Sequence, residues 1–178
     1  MIICITGLPA AGKSETAELM RKTGFRVYGI GTLIREKMTE EGIPITPETD
    51  RTFPVNLRKR YGKTAAAKIL FQKLHTAKHG NLVIEGIRSR AEIAYIRRRM
   101  GNVVVIAVVA PLKTRFGRSK KRRRADAPRT LQDFVRDKDR KEGRWGMLGA
   151  IKAADYVIAN TGTKADLRRS VERIVQSL

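Results

Sequence analysis

The chain is poor in the residues that build disulfide frameworks and metal cages. It holds one cysteine, Cys4, and two histidines in 178 residues. A single thiol makes no internal disulfide, and Cys4, set in an apolar run, reads as a small buried hydrophobe. His75 and His79 fall one helical turn apart, yet zinc needs at least a third ligand and no other histidine exists. They read as solvent-facing helix residues. Long hydrophobic runs are also missing. The longest, Val103 to Leu112, is about half the ~20 residues a membrane helix requires. The N-terminus has no charged leader and enters an apolar strand at once, which argues against a signal peptide. The expectation is a cytoplasmic protein with no membrane segment. Acidic residues are scarce too: 17 Asp+Glu stand against 38 Lys+Arg, a net charge of +21. Such an excess favours polyanionic partners, whether nucleotides, nucleic acid or an anionic surface. The apolar fraction is ordinary, so the chain should fold, and its length suits one domain.

What the sequence does contain is concentrated at its start. Ile2-Ile3-Cys4-Ile5-Thr6 reads as a buried strand, and Gly7 to Ser14 then completes the spacing G-x-x-x-x-G-K-S. That spacing is a phosphate-binding P-loop, made specific by the strand before it and the helical pattern after it. Glycines at 7 and 12 let successive backbone N–H groups turn toward phosphate oxygens. The helix opening near Lys13 adds its positive end. Lys13 would reach the β- and γ-phosphates and the Ser14 hydroxyl would ligate Mg²⁺. ATP and Mg²⁺ are therefore the expected cofactors, held by Gly7, Leu8, Pro9, Ala10, Ala11, Gly12, Lys13, Ser14 and Glu15.

Strand and helix signals alternate along the rest of the chain. Phe25–Tyr28 is a short second strand, and a helix over Thr32–Glu41 closes at Gly42 and Pro44. Thr46-Pro47 caps another helix, which Pro54 is expected to interrupt. Thr64–Lys78 is Ala-rich and amphipathic. Leu82–Glu85 is a third strand ending in a carboxylate. Ser89 and Glu92 form a capping box for a helix that Gly101 ends. Val103–Val109 is apolar throughout, as a strand covered on both faces should be. Pro111–Lys121 and Thr130–Lys141 are helical, Gly143–Gly149 is loop or short helix, Tyr156–Ala159 is the fifth strand, and Thr163 with Asp166 caps the last helix. Regular alternation predicts a parallel sheet between two helical layers, with ligands beyond the carboxyl ends of the strands.

Several segments in this order resemble the nucleotide-kinase branch of P-loop proteins, the adenylate kinases and dephospho-coenzyme A kinases. The likeness is closer to an archaeal family of adenylate-kinase-related or dephospho-coenzyme-A-kinase-related nucleotide kinases. Gly7–Ser14, Gly31–Glu36, Val83–Ser89, Thr114–Phe116, Arg124–Pro128 and Ala154–Asn160 carry it. The resemblance implies a five-stranded sheet of order 2-3-1-4-5, an acceptor-binding insert over about 32–79 and a lid over about 113–144. It also implies that Arg35 and Arg88 grip the acceptor phosphate, with Thr32 beside them, and that Arg115, Arg124 and Arg136 clamp the transferred phosphoryl group. Asn160 would lie near the adenine. Glu85 faces the metal and either holds its water or acts as a base. Two positions depart from the pattern. The family often has Gly-Asp where this chain has Gly31-Thr32, and tends to have a second Asp at Ala127. A hydroxyl acceptor benefits from a carboxylate base, whereas a phosphate acceptor is already ionised, so the missing Asp favours a nucleoside monophosphate.

The functional expectation is an ATP-dependent nucleotide kinase acting on AMP or a related monophosphate. Three alternatives stay open: hydroxyl phosphorylation of the dephospho-coenzyme A kinase kind, an ATP-binding protein that contacts RNA or the ribosome through its basic surface, and a kinase that phosphorylates RNA or a protein. Trp145 reads as lid packing in preference to a base stack.

Overall fold

The computed structural model describes residues 1–74, 80–121, 128, 130–136 and 146–178. Five strands form one parallel sheet in the order β2-β3-β1-β4-β5. They are β1 (Ile2–Thr6), β2 (Arg26–Gly29), β3 (Leu82–Ile87), β4 (Val103–Val109) and β5 (Tyr156–Ala159). The order is the one expected, and the fold is a three-layer α/β/α P-loop fold. Central β1 pairs in parallel with both β3 and β4 and is buried from Ile3 to Ile5, which is why its sequence shows no polar alternation.

The helices are α1 (Lys13–Arg21), α2 (Ile30–Glu40), α3 (Pro47–Tyr61), α4 (Ala65–Leu74), α5 (Arg90–Met100), α6 (Leu112–Lys121), α7 (Leu131–Phe134), α8 (Met147–Lys152) and α9 (Lys164–Ser177). One core lies where α2, α4, α5 and α8 cover the sheet, through Ile34, Leu70, Ile84 and Ile96. The other lies under α1 and α9, through Ile5, Met20, Val108 and Val171. Capping boxes open α5 at Ser89/Glu92, α7 at Thr130/Asp133 and α9 at Thr163/Asp166. The described part of the helix expected over Thr130–Lys141 begins as α7.

Three expectations shift. β2 runs one residue later than expected, to Gly29, and α2 starts earlier, at Ile30. Pro54 does not break its helix: α3 is continuous from Pro47 to Tyr61. A proline inside a helix costs about 3 kcal/mol through a lost backbone bond and a ring clash. Here Pro54 and Leu57 are both buried, and that burial works against the cost. β3 continues past Glu85 to Ile87 across a register shift, in which Ile5 pairs with Glu85 but Thr6 pairs with Ile87. The skipped residue, Gly86, is a β-bulge next to the carboxylate, a device that re-aims a side chain at a strand end. His75, His79, Ala127 and Trp145 lie outside the described residues.

Among the described residues no helix is long and apolar enough to cross a membrane. Cys4 is fully buried in β1, and burial pushes its thiol up to about 12. Since the thiolate is the reactive form, a thiol reagent at about pH 8 should leave Cys4 untouched in the folded protein and modify it only on unfolding. Fast stoichiometric labelling of the native chain would contradict this burial.

Candidate functional site

The loop between β1 and α1 is shaped by its neighbours. Gly7 has φ +143°, and a Cβ there would stand 2.2 Å from the Val108 carbonyl oxygen of β4. Gly12 has φ +113°, and a Cβ there would stand 2.1 Å from the Asn160 amide nitrogen. Between them Ala10 holds φ +60°, a left-handed conformation rare for a residue with a side chain. It costs roughly 1–2 kcal/mol, which the surrounding contacts must offset. Left-handed residues interspersed along such a loop curl the backbone into a concave anion-binding nest, and α1 begins at its rim. Lys13 lies across the loop, its Nζ donating to the Gly7 carbonyl at 2.8 Å and the Leu8 carbonyl at 3.1 Å. The ammonium is thus already at the loop. Leu8 and Pro9 are half-buried, Ala10 and Ala11 buried. Glu15 is exposed and pairs at 3.3 Å with Lys164 of α9.

Beside the loop, the Ser14 hydroxyl donates to Glu85 Oε1 at 3.0 Å. The bulge at Gly86 and the pairing of β3 with both β1 and β2 put this carboxylate between the P-loop and α2. A Cβ built on Gly29 would meet Thr32 Oγ1 at 3.3 Å and Glu85 Oε2 at 3.5 Å. Ser14, Glu85 and Thr32, from three separate elements, therefore face one spot. Hard oxygen donors of this kind suit Mg²⁺, which keeps several waters and takes one or two protein ligands beside phosphate oxygens. Among the described residues no cluster of three or more His, Cys, Asp or Glu side chains forms a protein-only cage.

The arginines are spread over different tasks. Arg35 forks onto Asp50 of α3, Nε to Oδ1 at 2.7 Å and Nη2 to Oδ2 at 2.9 Å. Arg88 follows β3, and its backbone N–H donates to Glu92 Oε2 at 2.7 Å. The same carboxylate accepts from Ser89 N–H and, at 2.6 Å, from Arg58 Nη2 of α3. Burial pushes the Glu92 carboxyl above its ordinary range, against the pull of the Arg58 guanidinium and the backbone amides. This buried pair fixes the turn that presents Arg88.

Arg115, expected to clamp a phosphoryl group, is instead buried. Its Nε donates to the Ala110 carbonyl at 3.0 Å and its guanidinium lies 5.6 Å from the Phe134 ring centre. Arg136 is exposed and paired with Asp133 at 3.0 Å. Arg124 lies outside the described residues. Arg118 of α6, which was not among the sequence candidates, touches the P-loop. It donates to the Ala11 carbonyl at 3.3 Å and to the Asn160 carbonyl at 3.1 Å. Asn160 is itself buried, and its amide donates to the Ala11 carbonyl at 2.9 Å. Its polar atoms therefore brace the loop wall. One signal for Arg118 was present: a second arginine, three residues after Arg115, on the helix that leaves β4.

A profile of the AAA domain family matches residues 3–142. A UPF0200 protein of Pyrococcus horikoshii is 37% identical over 182 aligned positions, covering 100% of this chain and 97% of the relative. The chain belongs to the UPF0200 family. Among solved structures, a shikimate kinase from Bacteroides thetaiotaomicron superposes with a TM-score of 0.68 at 16% identity, covering 100% of this chain and 99% of that one. A gluconokinase from Sinorhizobium meliloti gives 0.56 at 12% identity, covering 99% and 94%. These likenesses are of fold, and the fold is that of P-loop kinases.

In this UPF0200 protein the structure gathers Gly7–Ser14, Glu85, Thr32 and Asn160 at the carboxyl edge of the sheet, where such folds bind ligands. Arg115 lies at the same edge, buried, with its Nε bonded to the Ala110 carbonyl just past the end of β4. Replacing Asn160 by Ala should remove the amide from the Ala11 carbonyl and relax the loop, weakening nucleotide binding about tenfold, on the scale of one buried hydrogen bond and an orphaned partner. Gly12→Ala should abolish binding while the fold survives. Titration with a fluorescent ATP analogue reads both, and unchanged affinity in Gly12→Ala would contradict the loop geometry.

Proposed function

We propose that this UPF0200 protein is an ATP-dependent nucleotide kinase that transfers the γ-phosphoryl group to a small phosphate-bearing acceptor, AMP or another nucleoside monophosphate. The observation that carries the reading is the Ser14–Glu85 hydrogen bond at 3.0 Å, directly beside a P-loop already crossed by Lys13. It joins a phosphate cradle to a pair of hard oxygen donors. Mg²⁺, when bound, would neutralise charge on the phosphate tail. Lys13, now on the Gly7 and Leu8 carbonyls, would turn to phosphate oxygens, and Ser14 and Glu85 would hold the metal or its water. Phosphoryl transfer needs little covalent help from a protein, so positioning and charge supply most of the rate.

The acceptor belongs across the P-loop, between α2 and the turn after β3. In this reading Arg35 of α2 and Arg88, which follows β3, would grip its phosphate. Asp50 occupies the Arg35 fork in a bidentate geometry that an acceptor phosphate reproduces, so the monophosphate would displace Asp50. In this reading residues 32–79 form the acceptor insert and 113–144 the lid, with Arg124 and Arg136 as its clamps and Arg118 steadying the loop. The site belongs to the cytoplasm, where ATP is abundant.

One observation favours a second reading. Glu85 Oε2 and Thr32 Oγ1 both crowd the position a Gly29 Cβ would take, on the acceptor side. A carboxylate there would serve as base toward a hydroxyl acceptor of the dephospho-coenzyme A kind. A coupled ADP-release assay over nucleoside monophosphates and dephospho-coenzyme A separates the two. We expect turnover with a monophosphate, lost about 100-fold or more in Lys13→Ala. Turnover with dephospho-coenzyme A alone transfers the assignment to the second reading. No turnover above the Lys13→Ala background with any acceptor contradicts both.

A further inference from the structure

The surplus of positive charge is not needed by a site for one ATP, and it is not spread evenly. Residues 51–84 contain eight Lys/Arg and no Asp or Glu, and residues 93–125 contain eleven with none, half of the 38 in the chain. The first stretch includes most of α3 and all of α4, and the second supplies Arg97, Arg98 and Arg99 to the end of α5, its other eight cations lying at 113–124. These helices pack side by side, α3 on α4 and α4 on α5. Neighbouring carboxylates are already engaged: Glu92 with Arg58, Glu36 with Lys73 and Asp155 with Arg97. Among the described residues, Arg60, Lys63, Lys68, Arg98 and Arg99 make no ion pair.

Aromatic rings are interleaved with this charge. Phe71 of α4 and Tyr95 of α5 meet edge to face at 5.6 Å. The Arg99 guanidinium lies 5.6 Å from the Phe71 ring centre and 5.1 Å from that of Tyr95, and Arg98 lies 6.0 Å from Tyr95. At the other end of α4, Arg60 lies 5.7 Å from the ring centre of Tyr61, which is 52% exposed. Lys68 is exposed between these two groups in sequence. The far group is remote from the P-loop. α5 runs down to the start of β4, so Arg98 and Arg99 stand at the amino edge of the sheet, opposite the candidate nucleotide site.

We propose that the outer surface of α4, α5 and the end of α3, from Arg60–Tyr61 to Arg98–Arg99, binds single-stranded RNA. Unpaired cations meet the phosphates, while Tyr61 and the guanidinium groups set beside the rings offer flat faces to unstacked bases. Unpaired, accessible bases are the ordinary state of RNA loops and ends, whereas duplex DNA keeps its bases stacked. An anionic bilayer fits less well, because membrane-surface binding inserts an apolar helix face. The exposed large apolar residues other than Tyr61, such as Ile45, Leu148 and Val157, lie elsewhere. Heat-adapted surfaces do not account for the pattern either, since their stabilising networks intersperse both signs of charge.

Fluorescence anisotropy with a labelled, unstructured RNA of about 20 nucleotides at ~50 mM salt tests the surface. Binding should weaken steeply with salt, by roughly 0.7 in the log–log slope for each phosphate contact on a single strand. Arg98→Glu/Arg99→Glu should lose about tenfold or more in affinity and flatten that slope. Tyr61→Ala should lose affinity several-fold, roughly, with the slope unchanged, because stacking releases no counterions. Arg168→Glu/Arg169→Glu on α9, across the sheet, changes net charge equally and should bind as the wild type does. Nucleotide affinity, read on every variant, should not move, and each variant should still unfold cooperatively. RNA binding absent in the wild type, or weakened equally by the α9 pair, overturns the proposal. So does tighter binding to the matching DNA, to phosphatidylglycerol vesicles or to polyglutamate.

Discussion

The backbone between Gly7 and Gly12 runs so close to the ends of β4 and β5 that side chains at those two positions have no room. The Val108 carbonyl closes one side and the Asn160 amide the other. This approach forces the loop into a curl in which even Ala10 takes a left-handed conformation. The rest of the site depends on that curl. It determines where Lys13 lies over the Gly7 and Leu8 carbonyls and where α1 begins, hence where Ser14 meets Glu85. Asn160 and Arg118 both bond to the Ala11 carbonyl, so α6 and the end of β5 hold the loop from behind.

Charge at the site is held in pairs that a substrate can exchange. Lys13 rests on carbonyls, Glu85 on a hydroxyl and Arg35 on a carboxylate of the neighbouring helix. Each partner is weaker than, or geometrically equivalent to, the phosphate or metal that the proposed reaction would bring. Arrangements of this kind keep polar groups satisfied while leaving their orientation set for binding. The Arg58–Glu92 pair differs, being buried and tied to backbone amides. It serves as a fixed brace between α3 and the turn that carries Arg88. Removing one partner of such a pair is costly because the other stays buried and charged.

Much of this was legible in the sequence because it is encoded locally. The P-loop spacing, the apolar strands and the Ser89, Thr130 and Thr163 caps depend on residues a few positions apart, the alternation of elements leads to a parallel sheet, and the strand order came from the resemblance to nucleotide kinases. What was not legible depends on distant neighbours. Pro54 looked like a break because its burial, with Leu57, cannot be seen from the helix alone. Arg115 and Arg118 sit three residues apart on α6, and which of them faces the P-loop is decided by how that helix rolls against Phe134. The bond from Asn160 to Ala11 spans 149 positions. The bulge that sets Glu85 appears only once β3 is paired with β1.

The account rests on the P-loop being a working triphosphate site held in shape by its neighbours. Isothermal titration calorimetry of the wild-type chain with magnesium and a non-hydrolysable ATP analogue tests this most directly. The account predicts a one-to-one exothermic association that weakens when magnesium is withheld. No heat of association at any magnesium concentration would contradict it.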